Sequence, residues 1–184
     1  MRELLDFYRS VKPWTKFSWL KRFVKEGINS TVEDRRGEKL VRIVAYCLMP
    51  THIHLFLQQL TENGISLYMG RLLNSYARYF NLRHKRKGPL WEGRFKNVHV
   101  KTDEQALHLS RYIHLNPTSA MLVHKPQEWE FSSYPEYLSL VHPKEAICDY
   151  AGLLAVSPGH YKAFVERHQS DQRSLAMIKH LLVD

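Results

Sequence analysis

Apolar positions recur along this chain with two periods, and the places where the period changes mark its elements. Leu4, Leu5 and Tyr8 stand at helical spacing, and the pattern predicts a second helix over Phe17 to Lys25, with Pro13 separating the two. Gly27 to Lys39 is polar and charged and reads as a loop. Leu40 to Cys47 alternates and is rich in Val and Ile, giving a strand. Met49-Pro-Thr51 is a tight connection into a second alternating run, so an antiparallel hairpin is expected. After Thr61-Glu-Asn-Gly64 the helical period returns from Ser66 to about Arg83, carried by Leu67, Leu72, Tyr76, Tyr79 and Phe80. Arg94 to Val100 reads as a third strand. Thr102-Asp-Glu-Gln105 resembles a capping box that opens a helix ending at the Asn116-Pro117 boundary, because proline disfavours helical geometry in the residue before it. Trp129 to Tyr134, with Tyr137 and Leu138, reads as a packing segment, and a last helix starts at Ser157-Pro-Gly-His and continues through Ile178 and Leu182.

Composition narrows the class. A chain of 184 residues with 44% hydrophobic and 24% charged content suits one globular domain with a small extension. No apolar run approaches the length of a membrane-spanning helix, and the start lacks the apolar segment of a signal peptide, so a cytoplasmic protein with no membrane partner is expected. Cys47 and Cys148 lie far apart without zinc-ligand spacing, which argues against a disulfide framework or a cysteine zinc site and leaves Cys47 as a core residue. The net charge of +9 favours an anionic partner, nucleic acid foremost. That charge concentrates in His84-Lys-Arg-Lys-Gly-Pro89, with Arg71, Arg78 and Arg83 before it and Arg94 after it. Tyr76, Tyr79, Trp91 and Phe95 are interleaved, a combination that suits a single-stranded nucleic acid, phosphates on the cations and bases on the rings. On the charges alone, a solvated basic helix end with its aromatics in the core is an equal reading.

The most specific chemistry lies in Tyr46-Cys-Leu-Met-Pro-Thr-His-Ile-His-Leu-Phe-Leu-Gln58. Residues two apart in a strand share a face, so His52 and His54 are expected to project together while Ile53, Leu55 and Leu57 point into a core. Two neutral imidazoles side by side are a ready pair of metal ligands. On the later helix His108, Tyr112 and Asn116 are each four apart, which allows a tyrosine and an amide to point together at that pair. Each has a plainer alternative: strand histidines are usually structural, Tyr112 could be a buried helix tyrosine, and Asn116 could serve the turn into Pro117.

Taken in order, Met49-Pro-Thr-His-Ile-His54, Asn74-Ser-Tyr-Ala-Arg-Tyr-Phe-Asn81, Lys85-Arg-Lys-Gly-Pro-Leu-Trp-Glu-Gly-Arg-Phe-Lys96 and Arg111-Tyr-Ile-His-Leu-Asn-Pro117 resemble the IS200-type Y1 transposases. Within them the resemblance is to the group associated with repetitive extragenic palindromes, in the His-hydrophobic-His superfamily of single-strand nucleases. It implies a ferredoxin-like α+β fold, a central antiparallel sheet flanked by helices, over residues 1–140, with a C-terminal helical extension over 141–184. It also implies metal ligands at His52, His54 and Asn116, a nucleophile at Tyr112, and magnesium or manganese as the ion. Arg78, Lys85, Arg86, Lys87 and Arg94 are the expected DNA phosphate contacts. The implied partner is single-stranded DNA beside a hairpin or palindromic repeat, cut through a 5′-phosphotyrosine link by a homodimer. Two departures stand out: the strand that the family places ahead of the first helix is not seen, and Thr51 stands where the family usually has Asn. The alternatives are an inactive nucleic-acid-binding module derived from such an enzyme, and a metal-dependent hydrolase with a water nucleophile, which would survive Tyr112→Phe.

Overall fold

The computed structural model describes residues 1–10 and 38–169, in an α+β arrangement. In order come α1 (Arg2–Tyr8), β1 (Val41–Leu48), β2 (Ile53–Gln59), α2 (Gly64–Arg83), α3 (Asp103–Ser119), a 3-10 turn at Pro126–Glu128, α4 (Tyr134–Tyr137) and α5 (Pro158–Glu166). β1 and β2 form a two-stranded antiparallel sheet, the expected hairpin. The helix expected over Phe17 to Lys25, most of the following loop and the continuation through Leu182 lie outside the described residues. Among those described, no helix is long and apolar enough to cross a membrane. The chain divides into two compact units, residues 1–42 with 58–98, and residues 43–57 with 99–184.

In the first unit α1 buries Leu4 and Leu5, and α2 packs through Tyr68, Met69 and Leu72. The Tyr68 hydroxyl donates to the Leu5 carbonyl at 3.1 Å, and the Arg71 guanidinium donates to the Ser10 carbonyl at 3.2 Å. Leu67 and Tyr79, assigned to the apolar stripe by spacing, are instead 47% and 44% exposed. The buried stripe follows Tyr68, Leu72 and half-buried Tyr76, and Leu67 falls one position, about 100°, off that line. Gly64 opens α2 because a side chain there would run into the Leu40 carbonyl oxygen.

The second unit is built on the inner part of β1. Every residue of that strand except Arg42 is buried, so it behaves as a central strand, not the half-exposed one its alternation suggests. Its second edge is closed by irregular chain. Leu48 N–H donates to the Phe131 carbonyl and Ser133 N–H to the Tyr46 carbonyl, both at 2.9 Å, and Asp149 N–H reaches the Ile43 carbonyl at 2.9 Å. Cys47 is fully buried, as expected, and burial pushes its thiol up to about 12; both cysteines are free. Arg94 to Val100 forms no strand. An alternating segment becomes a strand only where an edge and a face receive it, and here Val98 is 90% and Phe95 37% exposed.

α3 begins as expected, with Thr102 Oγ1 accepting the Gln105 N–H at 3.1 Å. Gln105 Oε1 reaches back to the Lys101 N–H at 2.9 Å, one residue earlier than a capping box requires. The helix does not stop at Asn116; it runs through buried Pro117 to Ser119. Proline costs the Ile113 carbonyl its usual donor, but the next turn closes through Ala120 N–H to Asn116 and Leu122 N–H to Pro117, both at 2.9 Å.

On the core side of α3 lies His114, fully buried. Tyr161 donates its hydroxyl to Ser110 at 2.9 Å and Ser110 donates to the Leu107 carbonyl at 2.8 Å, so Tyr161 receives the Nδ1–H of His114 at 2.7 Å. Nε2 of His114 accepts from Ser133 at 2.8 Å, the shorter of that hydroxyl's two acceptor distances, and Ser133 Oγ accepts the Tyr46 N–H at 2.9 Å. Every side-chain polar atom in this network has a partner, as burial demands. Burial pushes the His114 ring down to about 3. Below the ordinary value of 6.5 the unfolded chain takes a proton there that the folded one refuses, so stability is full above 6.5 and falls as pH drops toward 3. We expect His114→Gln to flatten the fall in unfolding free energy, read from urea titrations between pH 6.5 and 4.5, by about 1.4 kcal/mol per pH unit relative to the wild type. Identical slopes would show that His114 is not the buried neutral base.

Candidate functional site

The hairpin turn delivers the two histidines. Met49 N–H donates to the His52 carbonyl at 2.9 Å, closing the chain around Pro50 and Thr51. His52 and His54 stand edge to face, ring centroids 4.7 Å apart, with their Nε2 atoms 3.0 Å from each other. Thr51 Oγ1 lies 3.0 Å from Nδ1 of His52. The face that carries them is also a core face: Phe56, of the same strand parity, is buried, whereas Ile53, Leu55 and Leu57 are only half-buried. The expected division into an imidazole face and a core face is therefore corrected. β2 packs on both sides, and His54 sits half-buried instead of standing in solvent. Burial, with the neighbouring His52 ring adding to it, pushes His54 down to about 4, so the ring is neutral at pH 7.

α3 brings the second pair. The Tyr112 ring stands edge-on to His54, centroids 5.8 Å apart, and remains 44% exposed. The Asn116 side chain lies near enough to the His54 ring to favour its protonated form, and its Nδ2 donates to the Tyr112 carbonyl at 2.8 Å. That bond fixes the amide, committing its nitrogen to the backbone and leaving its oxygen for the imidazole side. His52, His54, Tyr112 and Asn116, from segments some sixty residues apart, thus form one cluster. His108, four residues before Tyr112, is held elsewhere: its Nδ1 lies 3.0 Å from Arg111 Nη2 and its ring packs edge-on to Phe164 at 5.6 Å.

The donor set suits a divalent ion. Two nitrogens about 2 Å from one ion, in neighbouring positions of its shell, lie about 3 Å apart, close to the 3.0 Å between the two Nε2 atoms. An amide oxygen adds a hard donor, a set compatible with magnesium or manganese. Among the described residues no group of three His, Cys, Asp or Glu is arranged for a metal, so any ion here depends on Asn116.

The basic segment is folded back on the end of α2. Arg86 N–H donates to the Asn81 carbonyl at 2.8 Å, Asn81 Nδ2 to the Gly88 carbonyl at 2.9 Å, and Arg86 Nη2 to the Pro89 carbonyl at 3.2 Å. Gly88, at φ 92°, makes the turn that a side chain would resist. Arg86 also lies over the Phe80 ring at 6.0 Å, so it holds the loop together, while Arg78, Lys85, Lys87 and Arg94 are exposed or half-exposed. The interleaved aromatics divide. Tyr76 packs on Trp91 at 5.9 Å, and Trp91 Nε1 donates to the Leu73 carbonyl at 3.1 Å, whereas Tyr79 and Phe95 face solvent. The roles of His114 and Ser133 are not legible in the sequence pattern. For His114 the signal was its place between Ile113 and Leu115 on the core side of α3.

The family described as "Transposase IS200 like" matches residues 11–116. A curated Haemophilus influenzae protein named as a putative REP-associated tyrosine transposase is 30% identical over 102 residues, covering 50% of this chain and 57% of that protein. The chain thus spans a little over half the length of this curated relative. No solved structure matches.

We expect His54 to titrate near pH 4 when its ring carbon shifts are followed by NMR, and Asn116→Ala to lower that midpoint further, because the nearby amide favours the protonated ring. A midpoint near 6.5 would mean an open, solvated ring.

Proposed function

Because this chain belongs to the IS200-like transposase family, we propose that it cuts and rejoins single-stranded DNA through a covalent link to Tyr112, with His52, His54 and Asn116 holding magnesium or manganese. The observation that supports this reading is the convergence of the four side chains from a hairpin and a helix distant in sequence. In the forward step the Tyr112 oxygen attacks the scissile phosphorus, the bond to the 3′ oxygen breaks, and a 5′-phosphotyrosine forms. In the reverse step a 3′-hydroxyl attacks the same phosphorus and the tyrosine leaves. The bond formed resembles the bond broken, so joining needs no nucleotide cofactor. Tyr112 must be accessible to a phosphate and held in place. Its exposure gives the first, and the edge-on packing of its ring against His54 gives the second. His54, kept neutral, offers a lone pair at pH 7 without first losing a proton. The ion, when bound, would polarise the phosphate and stabilise charge developing in the transition state. Arg78, Lys85, Arg86, Lys87 and Arg94 contact DNA phosphates in this reading, Arg86 also shaping the loop, and a hairpin or palindromic repeat and a second copy of the chain are the proposed partners.

The test is a denaturing gel of the protein with labelled single-stranded hairpin DNA and Mn2+. A covalent band in the wild type, lost by at least about a thousandfold in Tyr112→Phe, is expected on the order of losses seen when a nucleophile is removed. Cleavage that persists in Tyr112→Phe would point to a water nucleophile, and binding without adduct across several hairpins would leave a nucleic-acid-binding module. Lys85→Ala with Lys87→Ala is expected to weaken single-strand binding and lower the slope of log affinity against log salt by about 1.4, roughly 0.7 for each lysine–phosphate pair removed. An unchanged slope would remove this loop from the DNA surface.

A further inference from the structure

We propose that Thr51 is a positioning residue of the histidine pair, its hydroxyl accepting the Nδ1–H of His52 and so holding that ring in the tautomer with a bare Nε2. The inference rests on the metal-site reading above, but the geometry that carries it is in the protein alone. Thr51 Oγ1 lies 3.0 Å from Nδ1 of His52, and Nε2 of His52 lies 3.0 Å from Nε2 of His54. Two bare lone pairs do not sit at that distance, so one proton lies between the rings, and the partner on the far side of His52 influences which ring supplies it. For both Nε2 atoms to face one ion, the proton of His52 must be on Nδ1, where it needs an acceptor. Thr51 is the residue in place. A hydroxyl does this through its oxygen and costs the turn nothing, because Thr51 and His52 are both exposed and the turn is closed by backbone. With His52 protonated at Nδ1, the proton between the two rings of the metal-free protein is the one His54 carries on Nε2.

The experiment uses full-length protein labelled with 15N at histidine, metal-free at pH 7, in the wild type, Thr51→Val and Thr51→Ser. Ring-nitrogen shifts are expected to show Nδ1–H at His52 in the wild type and the serine variant, and a majority of Nε2–H in the valine variant. Calorimetric titration with MnCl2 is expected to show affinity about tenfold weaker for Thr51→Val, the usual scale for losing an outer partner of a ligand, and restored by Thr51→Ser. Circular dichroism should be the same for all three. If the wild type binds Mn2+, an unchanged tautomer or an unchanged affinity in Thr51→Val overturns the proposal. If the wild type binds none, the metal reading fails, and the tautomer measurement alone decides the role of Thr51.

Discussion

The buried run of hydrogen bonds through His114 is the constraint on which the second unit depends. α3 carries Tyr112 and Asn116 toward the histidines and, between them in sequence, His114 toward the core. The run extends from the helix carbonyl of Leu107 through Ser110, Tyr161, His114 and Ser133 to the N–H of Tyr46 on β1. It fixes both the distance and the rotation of α3 against the strand that leads into the histidine turn. A buried network of this kind is worth having only when every member is satisfied, since each orphaned group would cost about 1–3 kcal/mol. The rings of Tyr134, Tyr137 and Tyr161 surround the imidazole and exclude water that could stand in for a missing partner.

A second device lets β1 lie in the core without a regular strand on its far edge. Buried backbone carbonyls and amides need partners wherever they are, and here they find them in loops. Besides the bonds to Phe131, Ser133 and Asp149, the Tyr137 hydroxyl donates to the Val44 carbonyl at 2.7 Å. Glu136, itself buried, anchors the segment that follows: its carboxylate accepts from the Tyr46 hydroxyl at 3.0 Å and from the N–H groups of Ile147 and Cys148 at 2.9 and 2.8 Å. Trp129 Nε1 donates to the Leu48 carbonyl at 3.1 Å and closes the end of the strand. The polar atoms of residues 129–149 therefore do for β1 what a neighbouring ladder would do.

The histidine pair, the hairpin, the long helices and the start of α3 were legible because each rests on a local signal: a period, a proline turn, a capping threonine. The face assignments of β2 and α2 were less so. Phe56, Leu67 and Tyr79 show that which side of an element is buried depends on what packs there, which no local window contains. Pro117 misled for a related reason. Its effect on the preceding residue is a preference, and tertiary packing around a buried proline overrode it. Arg94 to Val100 had the pattern of a strand but pairs with no strand among the described residues. The grouping of Tyr112 and Asn116 with the histidines was readable from helical spacing, whereas the division of labour within the basic loop, with Arg86 binding its own backbone, needed coordinates.

Cys47 lies in the middle of the strand that all these bonds secure, and its thiol is both inaccessible and held far from the thiolate form that reacts with alkylating reagents. Cys148, in the segment anchored by Glu136, is partly accessible. The protein therefore carries two unequal thiol reporters: Cys148 can be modified in the folded state, whereas modification of Cys47 records only those moments when β1 itself comes free.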